Sequence, residues 1–94
     1  MTKFDQIATK IIREQELVVG PIAWDQADMV NGLQIIDKNT GEVSLDEIDA
    51  INVVDRLVKQ YESLFGRASR EFCKDAVSGL LAELSPSEVP STLR

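Results

Sequence analysis

The chain has 94 residues, sixteen acidic and ten basic side chains, no histidine, one cysteine and 44% hydrophobic residues. That length is one domain, and a net charge of −6 with a pI near 4.5 would repel a phosphate backbone or an anionic membrane surface, which argues against nucleic acid and membrane as partners. Without histidine the commonest zinc ligand and general base are gone, a lone cysteine closes no internal disulfide, and no secretory leader pattern opens the chain, so the expectation is a cytoplasmic protein with no cofactor.

From Thr2 to about Val18, apolar residues recur at Phe4, Ile7, Ala8, Ile11 and Ile12, the spacing of one helical face. Thr2 is the expected cap, and Asp5, Gln6, Lys10, Arg13 and Glu16 make up the opposite, polar side. That side is not rich in lysine and arginine, so the helix reads as facing a core and not a membrane surface.

Gly20-Pro21 ends this helix and starts a short second one, from Pro21 to Met29 or Val30, closed by Asn31-Gly32. Trp24 reads as a core anchor, with a ligand platform as the functional alternative. Asp25 and Asp28 stand one turn apart; first-turn acids favoured by the helix dipole explain them more simply than a shared metal or proton.

Leu33 to Ile36 reads as a strand and Asp37-Lys38-Asn39-Thr40-Gly41 as a tight turn, so the chain returns as a hairpin over about 33–45. The implied register puts Leu33, Ile35, Val43 and Leu45 on one face, lying on the helices. The stretch from Asp37 to Glu47 also resembles the loop of the EF-hand calcium-binding family, with Asp37, Asn39, Gly41 and Glu47 in that family's order. The resemblance implies a calcium or ligand site in the acidic 37–47 turn. Here, however, the glycine stands fifth and the glutamate eleventh, where the family places them sixth and twelfth. The same letters also read as a hairpin turn entering a capping box, Ser44-Leu45-Asp46-Glu47.

From that box a third helix runs to Phe65, with Leu45, Ile48, Ile51, Val53, Val54, Leu57, Val58, Tyr61, Leu64 and Phe65 as its apolar set and Asp55 and Lys59 as an i, i+4 pair on the polar remainder. Its apolar sector exceeds half the circumference. Either the helix is central in the subunit, between the first and fourth helices, or its surplus meets a second copy. Gly66 caps it, and a fourth helix carries Ala68, Phe72, Cys73, Ala76, Val77, Leu80, Leu81 and Leu84, joined to the third as a tight corner or a kinked rod. Arg67, Arg70 and Lys74 come closest to a basic stripe, but Glu71 and Asp75 interrupt it. Cys73 lies in the apolar sector and reads as an inert core thiol, with a thiol-based regulator as the alternative. In the tail, 85–94, Ser85-Pro86 starts a single helical turn that Pro90 ends; the tail reads as loosely docked, or as a docking peptide for a partner.

The expectation is therefore a mostly α (α+β) protein of three to four helices with a short hairpin between the second and third, one compact domain over 1–84 and a tail. Its function reads as that of a non-enzymatic, self-associating interaction module, an adaptor, assembly or regulatory subunit, because so short a chain is hard pressed to bury that much apolar helix surface. The candidate interface of such a homodimer is Ile48, Ile51, Leu57, Val58, Tyr61, Phe65, Phe72, Ala76 and Leu80. No glycine-rich phosphate loop or nucleophile elbow points to an enzyme.

Overall fold

A computed structural model describes residues 2–94. In chain order it contains α1 (Lys3–Val19), α2 (Ile22–Asp28), β1 (Leu33–Asp37), β2 (Glu42–Leu45), α3 (Ala50–Phe65) and α4 (Arg67–Leu81), followed by single 3₁₀ turns at Pro86–Glu88 and Ser91–Leu93. The fold is mostly α, with a two-stranded antiparallel hairpin between the second and third of four helices. Its accessible surface of 5233 Å² is close to the roughly 5,400 Å² expected of a compact monomer of this mass.

The apolar face of α1 forms as its spacing requires: Ile7, Ala8, Ile11 and Ile12 are wholly buried. Thr2 caps it, its Oγ1 accepting the Asp5 N–H at 3.1 Å while the Asp5 carboxylate accepts the Thr2 N–H at 3.0 Å. Asp5 departs from the expected polar face. It is buried, and its second oxygen accepts the Leu45 N–H at 3.0 Å, tying the first turn of α1 to the end of β2.

α1 packs against α2, α3, α4 and β2, and α3 packs against α1, α2, α4 and the last 3₁₀ turn. The sequence raised two possibilities for α3, and the first describes the structure. It lies inside the subunit, with Val53, Val54, Leu57, Val58 and Tyr61 wholly buried and the Tyr61 hydroxyl donating to the Ala23 carbonyl at 2.7 Å. Trp24 is buried in the same core and its Nε1–H donates to Glu16 Oε2 at 3.0 Å. Gly66, at φ +92°, ends α3 and lets α4 begin at once, folded back against α3 as a corner.

The hairpin register is Leu33 opposite Leu45 and Ile35 opposite Val43, with a bulge between Ile35 and Asp37. Leu33, Val43 and Leu45 are buried and Ile35 packs partly against the core. The start of α3 differs from expectation. Ser44 pairs with Gln34 in the ladder instead of capping a helix, β2 runs on through Leu45, and α3 begins five residues later behind Asp49. The Asp49 carboxylate accepts from Asn52 Nδ2 at 2.8 Å and Arg56 Nη2 at 2.9 Å, which holds it below the ordinary carboxylate range. Arg56 also donates to the Asn31 carbonyl at 3.2 Å, so the turn after α2 is pinned to α3.

Gly32 in that turn has φ +90°, and a Cβ placed there would lie 2.6 Å from Val53 Cγ2. Gly20, at the end of α1, has a similar φ of +82° with nothing within 4 Å. The pair separates backbone strain from steric conflict. Gly20→Ala is expected to lower unfolding stability by about 1–2 kcal/mol, and Gly32→Ala by about 2–4 kcal/mol because overpacking against α3 is added. Urea melts of the two variants measure the difference.

Candidate functional site

Burial decides first which expected interface residues have surface to offer. Leu57, Val58 and Tyr61 are wholly enclosed by the subunit, and Ile51, Ala76 and Leu80 are partly covered. Of the two alternatives for the surplus of α3, cover within the subunit accounts for these residues: α2 and the tail lie against the part that α1 and α4 leave open. Ile48 falls outside the helix, 99% exposed in the loop before α3. Phe65 and Phe72 remain half-open, at 37% and 39%.

Those two phenylalanines stand on either side of the Gly66 corner, and with Val18 at the end of α1 they surround a depression of about 150 Å³. Ala68 completes the wall, and Gln15 and Ser69 also line it. Phe65 is held by stacking on Tyr61, ring centroids 6.5 Å apart. Beneath this end of the bundle, Gln15 is 1% exposed and bonded throughout: its Nε2 donates to the Ser69 carbonyl at 3.3 Å and to Cys73 Sγ at 3.2 Å, and its Oε1 accepts from Ser69 Oγ at 3.0 Å.

The structure does not bring Asp37, Asn39 and Glu47 together. Asp37 Oδ1 accepts the Asn39 N–H at 2.8 Å within the turn, whereas Glu47 lies beyond the far end of β2. The turn's carbonyls are taken up by α1: Arg13 Nη2 donates to Thr40 at 2.6 Å and Thr9 Oγ1 to Gly41 at 2.7 Å. Among the described residues no group of three or more cysteines, aspartates or glutamates is placed to hold a metal ion. Asp25 and Asp28 point to solvent, with Lys38 Nζ 4.0 Å from Asp25. Cys73 is wholly buried, and burial pushes its thiol up to about 11 against the hydrogen bond from Gln15.

The polar arrangement that the sequence hides lies between α3 and α4. Asp55, expected to pair with Lys59 on an exposed face, is buried and grips the tail instead. Its Oδ1 accepts the Thr92 N–H at 2.9 Å and the Thr92 hydroxyl at 2.6 Å; its Oδ2 accepts the Ser91 N–H at 3.2 Å and the Ser91 hydroxyl at 3.0 Å. Arg70 Nε donates to the Thr92 carbonyl at 3.0 Å, and Leu93 is 1% exposed. The end of the tail is therefore docked, not loose. Burial by itself would raise the Asp55 carboxyl, but the donors from Thr92 and Ser91 outweigh it and hold the group below its usual range. The only sequence signal for this grip is a hydroxyl pair next to an aliphatic residue at 91–93, and nothing in it names a partner 36 residues away.

No family model, curated protein or solved structure matches this chain. Among the described residues no helix is long and apolar enough to cross a membrane.

Two measurements follow from these groups. At pH 8 a thiol titrating at about 11 is ionised in about one molecule per thousand, so Cys73 is expected to resist a thiol reagent in the native protein and to react fully in urea. Asp55 binds its proton more weakly folded than unfolded. Its contribution to stability is thus complete above the unfolded carboxyl's pKa of about 3.9 and is lost as pH falls through the lower folded value. Asp55→Ala is expected to cost about 3 kcal/mol at pH 7, a difference that narrows in melts carried out below pH 3.9.

Proposed function

We propose that this protein is a non-enzymatic interaction module of the cytoplasm that self-associates through the Gly66 end of its bundle, serving as an adaptor, assembly factor or regulatory subunit. One observation carries the reading. Phe65 and Phe72, with Val18 64% exposed beside them, hold an apolar depression open to solvent, whereas Trp24 and Tyr61 are enclosed in the core. Phenylalanine on a rim around a small pocket is the kind of anchor on which interfaces concentrate their energy.

The chemistry of the other candidates favours binding over catalysis. The one thiol is enclosed and held protonated, and the acidic turn spends its carboxylate and carbonyls on its own conformation. A cytoplasmic location accords with an unpaired cysteine that has no disulfide to form.

Sedimentation equilibrium tests the proposal. The wild-type chain is expected to dimerise at micromolar concentration, and Phe72→Glu to be monomeric with its melting midpoint within a few degrees of wild type, since that ring is not part of the enclosed core. A wild-type chain that stays monomeric to several hundred micromolar would remove self-association from the reading.

A further inference from the structure

The docked tail displays the recognition chemistry of the groove that holds it. Each oxygen of the Asp55 carboxylate accepts both the N–H and the hydroxyl of one residue, Oδ1 from Thr92 and Oδ2 from Ser91. The groove therefore reads two consecutive hydroxyl side chains: an alanine at 92 leaves an acceptor lone pair unmet in a buried site, and one at 91 gives up a charge-assisted bond at its part-buried edge. Arg70 sets the chain direction by donating to the Thr92 carbonyl, and is itself oriented by Glu62, 3.9 Å from its Nη1. The next residue, Leu93, is enclosed, so the third requirement is an aliphatic side chain.

What joins this end to the body is far less attached. Residues 85–88 are exposed, and the Glu88 carboxylate bonds only locally, accepting from the Ser85 N–H at 3.0 Å and its hydroxyl at 2.9 Å. Leu84, Pro86, Ser87, Val89 and Arg94 border an open space of about 690 Å³. The tail is thus fastened at residues 89–93, with Val89 packed partly against the core, and only the stretch 85–88 between Leu84 and Val89 is exposed. Leu93 is the one tail side chain wholly enclosed in the core, so release of the segment turns on that residue and on the Asp55 bonds.

We propose that the α3–α4 groove is a peptide-recognition site for a segment of a partner protein bearing two successive Ser or Thr residues followed by an aliphatic one, and that the chain's own Ser91-Thr92-Leu93 fills it until such a partner displaces it. The covalent tether gives the tail an effective concentration of about millimolar, so the partner segment competes when it binds more tightly or is itself tethered. The site is separate from the Phe65–Phe72 depression, and a chain that fails to dimerise there still has this groove.

The test uses the full chain and a fluorescein-labelled peptide of residues 86–94, PSEVPSTLR. Leu93→Asp frees the groove by undocking the tail. By fluorescence anisotropy, this variant is expected to bind the peptide at least tenfold more tightly than wild type, whose tail competes. A peptide with alanine in place of both hydroxyl residues is expected to bind at least tenfold more weakly, and Asp55→Asn added to Leu93→Asp to remove binding, since the amide nitrogen turns a donor toward the donors of Ser91 or Thr92. Equal binding of the two peptides, or none by a variant that circular dichroism shows to be helical, overturns the proposal. Loss of cooperative melting in Leu93→Asp overturns it as well, because the tail is then an inseparable part of the core. Wild-type dimerisation that Leu93→Asp abolishes assigns the groove to a second copy and overturns the partner assignment.

Discussion

Gln15 governs how the helices of this protein meet. Apolar seams are non-directional and leave helices free to slide by a turn, but a primary amide in the middle of one has only one satisfactory position. With its nitrogen on the Ser69 carbonyl and Cys73 sulfur and its oxygen on the Ser69 hydroxyl, Gln15 sets the register and rotation of α1 on α4. Any slip would leave a buried amide unpaired, at a cost of about 1–3 kcal/mol for each lost partner. Once α1 and α4 are registered, the Gly66 corner brings α3 back against α4, and Asp5 fastens the hairpin to the start of α1. Among the described residues no buried side-chain nitrogen or oxygen lacks a partner. The polar groups of the core thus act as registry marks whose cost is offset by full satisfaction.

The features legible in the sequence are those in which neighbours along the chain decide the outcome. Helical spacing located three of the helices and the Gly20-Pro21 and Asn31-Gly32 punctuation the short second one, Thr2 capped the first, and the alternation Leu33, Ile35, Val43, Leu45 set the hairpin register. Asp5, Gln15 and Asp55 were illegible for a common reason. A polar residue at the margin of an apolar arc looks solvated until its partner is known, and their partners stand 40, 54 and 36 residues away. The misplaced start of α3 has a different cause. Ser44-Leu45-Asp46-Glu47 satisfies the letters of a capping box, worth about 1 kcal/mol, but continuing β2 buries Leu45 and completes the ladder with Gln34. Non-local pairing outweighed the local signal, and Ile48, counted in the helix by its spacing, was left in the loop.

The breadth of the apolar sector on α3 changes meaning once its neighbours are known. Counting only the two long helices beside it leaves a surplus, whereas α2 and the final 3₁₀ turn also lie against it and consume that surplus within one subunit. Val18, Phe65 and Phe72 leave partly exposed apolar surface at the end of the bundle, where α1 stops, α3 turns at Gly66 and α4 begins, while Met29, Ile36 and Ile48 are exposed singly elsewhere. Helix ends are where a small bundle has fewest neighbours to cover its side chains. Aromatic residues at that place therefore have a different significance from the same residues at mid-helix.

The two faces of α4 show how one helix serves both the core and the tail groove. Ser69 and Cys73 face α1 through Gln15, whereas Arg70, one residue on from Ser69 and about 100° around the helix, reaches the tail. A seam closed by apolar packing and a neutral amide is hard to open, since every group in it is desolvated and mutually paired. A contact built on one carboxylate, one guanidinium and one leucine is different in kind. Its hydrogen bonds are charge-assisted, and therefore selective. Water can replace most of them when the segment leaves, because the Ser91 hydroxyl and N–H and the Arg70 side chain all lie near the surface. Selectivity together with ready rehydration is what an exchangeable contact requires, and it places the reversible part of this molecule at Asp55 and its rigid part at Gln15.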